Sequence, residues 1–308
     1  MSSLTPATNN PVKPAGERFP AGFLFFPAEN RVRPMTKEGQ AISVSTKGPV
    51  TVESLTRDLQ ALGVRPGMVL IVHSSLSALG WVCGGPVAVI LALQKVLRSY
   101  GTLIMPAHSG DLSDPSLWEN PPVPKSWWET IRRTMPAYDP ELTPTRGMGV
   151  VAECFRTLRS VVRSAHPQVS FTAWGEQALK IVQDHSLEFG LGEYSPLARV
   201  YELDGWVLLM GVDHSSNTSM HLGEDRADFH GKRIVSTGAP VKVGAHRRWK
   251  RFKDFNYHSD DFERLGKDFE RECKDQIRKG LVGYAKAQLF PQRLCVDFAE
   301  KWLERNRR

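Results

Sequence analysis

The chain has 308 residues, 41% of them hydrophobic, which is enough apolar material for a large core and excludes disorder along its whole length. The formal charge is +7, and residues 246–308 carry 17 Lys and Arg against 11 Asp and Glu, so most of the excess sits there. Four scattered cysteines, Cys83, Cys154, Cys273 and Cys295, show no C-x-x-C spacing, which excludes a zinc knuckle and a secreted disulfide framework.

No apolar run approaches the ~18 residues of a membrane span. The first residues lack the basic start, apolar middle and small-residue cleavage site of a secretory signal, and residues 1–45, though poor in acids, lack the helical Arg face of a transit peptide. A cytoplasmic protein without membrane attachment is expected.

Residues 1–50 are interrupted by Pro and Gly around one apolar island, Gly22 to Pro27, and read as an N-terminal extension whose first 18 residues are unordered. A single domain is expected over 51–308. Thr51 is placed to cap a helix with an apolar stripe at Leu55, Leu59 and Leu62, stopped by Gly63. After the Pro66-Gly67 turn, Val69 to Val72 is a β-branched run typical of a buried strand. A loop from His73 to Gly85 follows, then Pro86 at the preferred first position of a helix over 87–100, then a strand over 102–105. Strand, helix, strand makes a βαβ unit with a parallel pair, so the fold class is α/β with a mainly parallel central sheet flanked by helices.

Residues 107–148 hold nine Pro or Gly and three Trp without a period, and long irregular stretches of this kind usually serve function. A helix is expected near 176–184, a strand over 206–210, a charged helix over 262–279 and a last helix over 293–305. The basic run Arg247, Arg248, Lys250, Arg251 and Lys253, with Trp249 and Phe252 between, reads as a solvated loop. No nucleic-acid motif accompanies it, and no nucleic-acid partner is expected.

Three segments carry chemistry. His73-Ser74-Ser75-Leu76-Ser77 leaves a strand and, past Gly84-Gly85-Pro86, feeds a helix, a place where hydroxyls and a helix N-terminus suit a pyrophosphate or pantetheine arm. Neither a P-loop nor a G-x-G-x-x-G fingerprint is present. His166 precedes Pro167, which biases it toward extended backbone on a loop or strand end, and a histidine is suited to take a proton near neutral pH. Thr218, His221 and Glu224 fall at i, i+3 and i+6, along one helical face after the strand. His214, His221 and Glu224 offer zinc ligands, but the H-E-x-x-H arrangement is missing and no metal is expected.

Together the HSSLSALG loop, the later GG, the RSAHPQVSFTAWG segment, the GLGEYSPLARVYEL segment and NTSMHLGE resemble the antibiotic N-acetyltransferases, the aminoglycoside 3-N-acetyltransferase family, over about residues 51–300. The resemblance implies a single domain unlike the Gcn5-related acetyltransferases, acetyl-CoA as co-substrate and an aminoglycoside 3-amino group as acceptor. It implies His166 as the catalytic histidine, Glu224 as the acid of the N-T-x-x-H-x-x-E motif, and Thr218 and His221 lining the site. His73, Ser74, Ser75, Leu76 and Ser77, with Gly84 and Gly85, correspond to the loop on the pantetheine arm. Where relatives carry a charged residue before N-T, this chain has Ser215-Ser216.

The mechanism expected from these parts is direct transfer. His166 deprotonates the amine, Glu224 holds the imidazole's other nitrogen, and the Ser74-Ser75 amides or the Thr218 hydroxyl stabilise the oxyanion. Asp111 and Asp139, in the aromatic and acidic insert, are the acids expected to attract a polycationic amine. Rival readings are acetylation of another small amine, a catalytically silent CoA-binding protein, and a Ser75–His166–Glu224 hydrolase, which lacks the G-x-S-x-G elbow. A monomer or homodimer is expected.

Overall fold

Helix and strand signals near the start of the domain are local and strong, and the chain obeys them. In the computed structural model, which describes residues 36–307, α2 (Val52–Leu62) begins with a reciprocal capping box between Thr51 and Ser54 and ends at Gly63, whose φ of 105° suits only glycine. Leu55, Leu59 and Leu62 are its buried stripe. The apolar island Gly22–Pro27 and the first 18 residues lie outside the described residues. The compact unit begins at Met35, so α1 (Lys37–Val44), within the stretch read as an extension, is part of it.

β1 (Val69–Ser74), α3 (Gly85–Leu97) and β2 (Thr102–Pro106) form the expected crossover, with β1 and β2 parallel in the register Leu70 opposite Leu103. The chain then passes through α4 (Trp128–Thr134) and α5 (Gly149–Arg156) to the short β3 (Val162–Arg163) and to β4 (Phe171–Gly175), which pairs antiparallel with β2. After α6 (Ala178–Val182) and α7 (Pro196–Glu202), β5 (Trp206–Met210) docks parallel on the free flank of β1. α8 (Met220–Arg226) follows, then the two-stranded ribbon β6 (Ile234–Val243) and β7 (His246–Phe255). The end of the described chain is α9 (Phe262–Glu272), β8 (Arg278–Val282), β9 (Ala285–Pro291) and α10 (Gln292–Asn306).

The main sheet has the order β3-β4-β2-β1-β5-β9-β8. β2, β1 and β5 are its parallel heart, and antiparallel pairs close both flanks, so five of the seven strands run one way. Its two faces carry two cores. One gathers Leu55, Leu59, Leu93, Leu103 and Phe155 under α2, α3 and α5; the other gathers Ile71, Ile104, Phe171, Leu209, Phe269 and Phe290 under α7 to α10. Each such side chain, fully removed from water, contributes about 2–3 kcal/mol relative to exposure.

Two expectations are corrected. The charged helix stops at Glu272, because its buried positions Phe262, Leu265 and Phe269 are not continued. Arg278 to Val282 then runs as a strand paired antiparallel with β9, and Gly283 at φ 57° turns the hairpin between them. The basic run is a strand and not a loop: Phe252 sits buried opposite Thr237 on β6, while Arg248 and Lys250 point to solvent.

Candidate active site

Because β2, β1 and β5 are parallel, their carboxyl ends emerge on one edge of the sheet. The connections from β1 toward β2 and from β5 away on the other flank part there, leaving a crevice. A cavity of about 770 Å³ occupies this edge. Its wall takes His73, Ser74, Ser75, Leu76 and Ser77 from the end of β1, Gly85 from the start of α3, and Met105, Pro106 and His108 from beyond β2. Gly147 to Val150 close another side, Ser215, Ser216, Thr218 and His221 come from beyond β5, and Lys37 and Glu38 come from α1.

The cofactor-loop expectation therefore lands on the cavity wall. Gly84 and Gly85 have φ of 88° and 56°, a left-handed pair that side chains with a Cβ adopt poorly, and this turn brings the α3 N-terminus to the crevice. Gly84 itself stands just behind the wall, its Cβ position 3.4 Å from Ala88. Ser75 Oγ and Ser77 Oγ lie 3.3 Å apart. The Ser75 amide is unavailable for an oxyanion, since it donates to the Met210 carbonyl at 2.9 Å and extends the β1–β5 ladder.

The acid and the two candidate histidines sort differently from the sequence expectation. Glu224 does not hold His166. Its Oε2 accepts from His221 Nδ1 at 2.6 Å, its Oε1 accepts from Arg307, and the His258 amide donates to it at 3.2 Å. Burial pushes this carboxyl up, but the bonds and charges of His221 and Arg307 outweigh it and hold Glu224 below the usual carboxylate range. The ring of His221 rests against Phe262 and Tyr257, at centroid distances of 4.7 and 5.7 Å, and its other edge lines the cavity.

His166 lies beneath the site, fully buried and off the cavity wall. Its Nδ1 accepts from the amides of Gln168 and Val169 at 3.1 and 3.0 Å, and its Nε2 donates to the Leu187 carbonyl at 3.3 Å. Burial first, then the neighbouring His185, set its pKa well below the ordinary histidine range. A neutral ring with both nitrogens bonded to backbone is a brace for the Pro167 turn. A Cβ on Gly190 would stand 2.6 Å from its Nε2, so the opposing strand of chain must carry glycine there.

The expected substrate acids are placed elsewhere. Asp111 pairs with Arg146 at 2.9 Å and Asp139 with Lys242 at 2.5 Å, and neither is on the cavity wall. Among the described residues the one carboxylate on that wall is Glu38, which also accepts from Trp81 Nε1 at 3.4 Å. Sequence reading missed Glu38, Lys37 and His108. The i, i+3 spacing of His221 and Glu224 is the visible signal for their pairing, and the structure bonds Glu224 to His221 where the expectation has His166.

Two further imidazoles border the cavity. Burial, followed by the field of His214, drives His73 down to about 3, and burial, followed by the fields of His221 and His73, does the same to His108. Both stay neutral. His214 is not part of the dyad; it stacks on Phe290 at 5.5 Å, and Asn217 Nδ2 approaches its ring at 3.4 Å while bonding Cys295. Among the described residues no group of three His, Cys, Asp or Glu side chains is arranged to hold a metal.

The model for the family described as aminoglycoside 3-N-acetyltransferase matches residues 71–304. The chain is 48% identical over 263 residues to the SPbeta prophage-derived aminoglycoside N(3')-acetyltransferase-like protein YokD of Bacillus subtilis (strain 168), covering 85% of this chain and 95% of that one. The crystal structure of YokD matches with a TM-score of 0.83 at 47% identity, over 87% of this chain and 97% of that one. Aminoglycoside N(3)-acetyltransferase VII of Streptomyces paromomycinus is 36% identical over 280 residues, 86% of this chain and 95% of that one. A solved structure of AAC-IIIb as a binary complex with CoASH matches with a TM-score of 0.75 at 30% identity, over 84% and 97% of the two chains. With the family model spanning most of the chain and the sheet reproduced in solved relatives, this protein belongs to the aminoglycoside 3-N-acetyltransferase family and is an acyltransferase.

Proposed function

We propose that the protein transfers the acetyl group of acetyl-CoA directly to an amino group of an aminoglycoside, with His221 as the general base and Glu224 orienting it. The observation that carries this reading is the 2.6 Å bond from His221 Nδ1 to Glu224, with the rest of the ring at the cavity. That bond fixes the tautomer with the proton on Nδ1 and leaves Nε2 as the acceptor. The ammonium loses one proton to solvent, Nε2 takes a second from the nitrogen as its lone pair attacks the thioester carbon, the carbon–sulfur bond breaks, and the departing CoA thiolate takes that proton from the imidazolium to leave amide and free thiol. Glu224, kept ionised, stabilises the imidazolium in between.

The thioester oxygen gains charge in the attack and needs a donor. The Thr218 hydroxyl, on the cavity wall three residues before His221, is suited to that role, and such a donor is worth about 3 kcal/mol. The pantetheine arm fits along Ser74 to Ser77 and the Gly84-Gly85 turn, with the adjoining helix N-terminus favouring its phosphates. The cytoplasm, where thiols stay reduced, suits four free cysteines.

A second reading has its own support: the cavity wall offers hydroxyls of Ser215 and Ser216 and, among the described residues, one carboxylate. A polycation prefers more acid than that, so a smaller amine of lower charge is the rival acceptor. Thiol release from acetyl-CoA, followed with a panel of aminoglycosides and simple monoamines, decides between them. Release with aminoglycosides that His221→Asn abolishes is the expected result; full rate in that variant sinks the base assignment.

A further inference from the structure

We propose that Arg307 is a positioning residue for the His221–Glu224 base, clamping Glu224 from the side opposite His221 and limiting how basic the pair becomes. The inference rests on His221 being the base.

Arg307 follows α10 and is only 9% exposed, unusual for a guanidinium. All three of its nitrogens are bonded. Nε and Nη2 hold the Asp261 carboxylate at 2.9 and 2.6 Å, Nη2 also donates to the His258 carbonyl at 2.9 Å, and Nη1 donates to Glu224 Oε1. The guanidinium lies over the Phe229 ring at 5.1 Å. Pinning the chain end needs only Asp261 and the His258 carbonyl. The extra arm reaches the one carboxylate whose other oxygen holds the catalytic imidazole.

Two physical consequences follow. Glu224 Oε1 takes a single arm, Nη1, of a buried guanidinium that Asp261 anchors, and this second bond restrains rotation of the carboxylate and keeps Oε2 in line with His221 Nδ1. A guanidinium in contact with Glu224 also offsets part of its charge, so the field drawing a proton onto His221 is weaker than a lone buried carboxylate would exert. Other charged or titratable groups around the pair are Asp225 on α8, Lys232 ahead of the ribbon, Tyr257 and His258 after it, Asp261 ahead of α9, and His108 on the cavity wall. Of these side chains, only that of Arg307 touches Glu224 besides His221 itself.

The test is the pH profile of kcat/KM for acetyl transfer by the full chain carrying Arg307→Met, Arg307→Gln or Arg307→Lys. For the Met and Gln variants the acidic limb is expected to move up by about one pH unit, with the rate at pH 6.5 down about ten-fold and recovering above about pH 8. The KM for acetyl-CoA should stay within about two-fold, because Arg307 is not on the cavity wall. Lysine keeps the charge and loses the fork, so its limb should stay near that of the parent. If the Met variant does not fold, Gln, which retains polar donors, gives the same reading. A folded Gln variant whose limb stays at the parent pH, whatever its stability, makes Arg307 a structural peg and overturns the proposal. Retention of the parent rate in His221→Asn is a different result and removes the underlying base assignment instead.

Discussion

Two histidines in this molecule have similar surroundings and opposite hydrogen-bond accounts. His166 has every ring nitrogen committed to backbone, two amides on Nδ1 and a carbonyl on Nε2, and is sealed from the cavity. His221 has one nitrogen committed to a carboxylate and the other side of the ring at the cavity. The difference teaches that a proton acceptor is identified by an unspent nitrogen next to space, and that a conspicuous local motif such as His-Pro is equally the mark of a braced turn.

The comparison is broken most directly by substituting each ring. His221→Asn is expected to lower turnover by about a thousand-fold or more, read as thiol release, while shifting the urea unfolding free energy by less than about 1 kcal/mol. His166→Ala should do the reverse. It leaves two buried amides and a carbonyl without partners and costs about 3 kcal/mol of stability, while the folded fraction keeps turnover within about three-fold. Loss of turnover without loss of stability in His166→Ala would reverse the two roles.

Glu224→Gln sharpens the picture further. It preserves shape but not charge, so a fall of about 10–100-fold in kcat is expected, with KM for acetyl-CoA nearly unchanged.

The buried neutral rings predict a pH effect on stability separate from catalysis. His73 and His185 titrate at about 3 and about 4 in the fold, both lowered chiefly by burial, and at about 6.5 when unfolded. Between those values the unfolded chain binds more protons, so stability is lost as pH falls below about 6.5, by roughly 2 kcal/mol per ring at pH 5. Urea unfolding from pH 7 to 5 measures the slope, and His185→Gln should flatten it. A smaller effect is expected at the amine wall: Ser216→Asp should lower KM for polycationic acceptors about three-fold and leave monoamines unchanged.

Much of the frame was legible in the chain because its signals are local. The Thr51 cap, the Gly63 stop, Pro86 and the β-branched runs at 69–72 and 206–210 mark α2, α3, β1 and β5 without reference to anything distant. The β6–β7 ribbon is hidden in the sequence because Trp249 and Phe252, three apart among Arg and Lys, fall on opposite faces of β7 and leave no regular apolar alternation, a pattern that also describes a basic loop. The serine-rich loop after β1 and the Thr218-His221 wall of the cavity are visible as motifs. Glu38, His108 and Arg307 are not, since each reaches the site across a long separation in sequence and sits in no motif of its own. Asp111 and Asp139 were chosen for charge alone, and charge alone does not reveal that Arg146 and Lys242 already neutralise them.

The stretch from α1 to Gly48 is tied to the body by polar bonds of Trp81 with Ser45 and Glu38, and of Tyr284 with Lys47 and Gly48. The His221–Glu224 pair lies on α8, away from these ties. Change at Lys37 or Glu38 can therefore reshape that side of the cavity wall while the bond between His221 and Glu224 stays as it is.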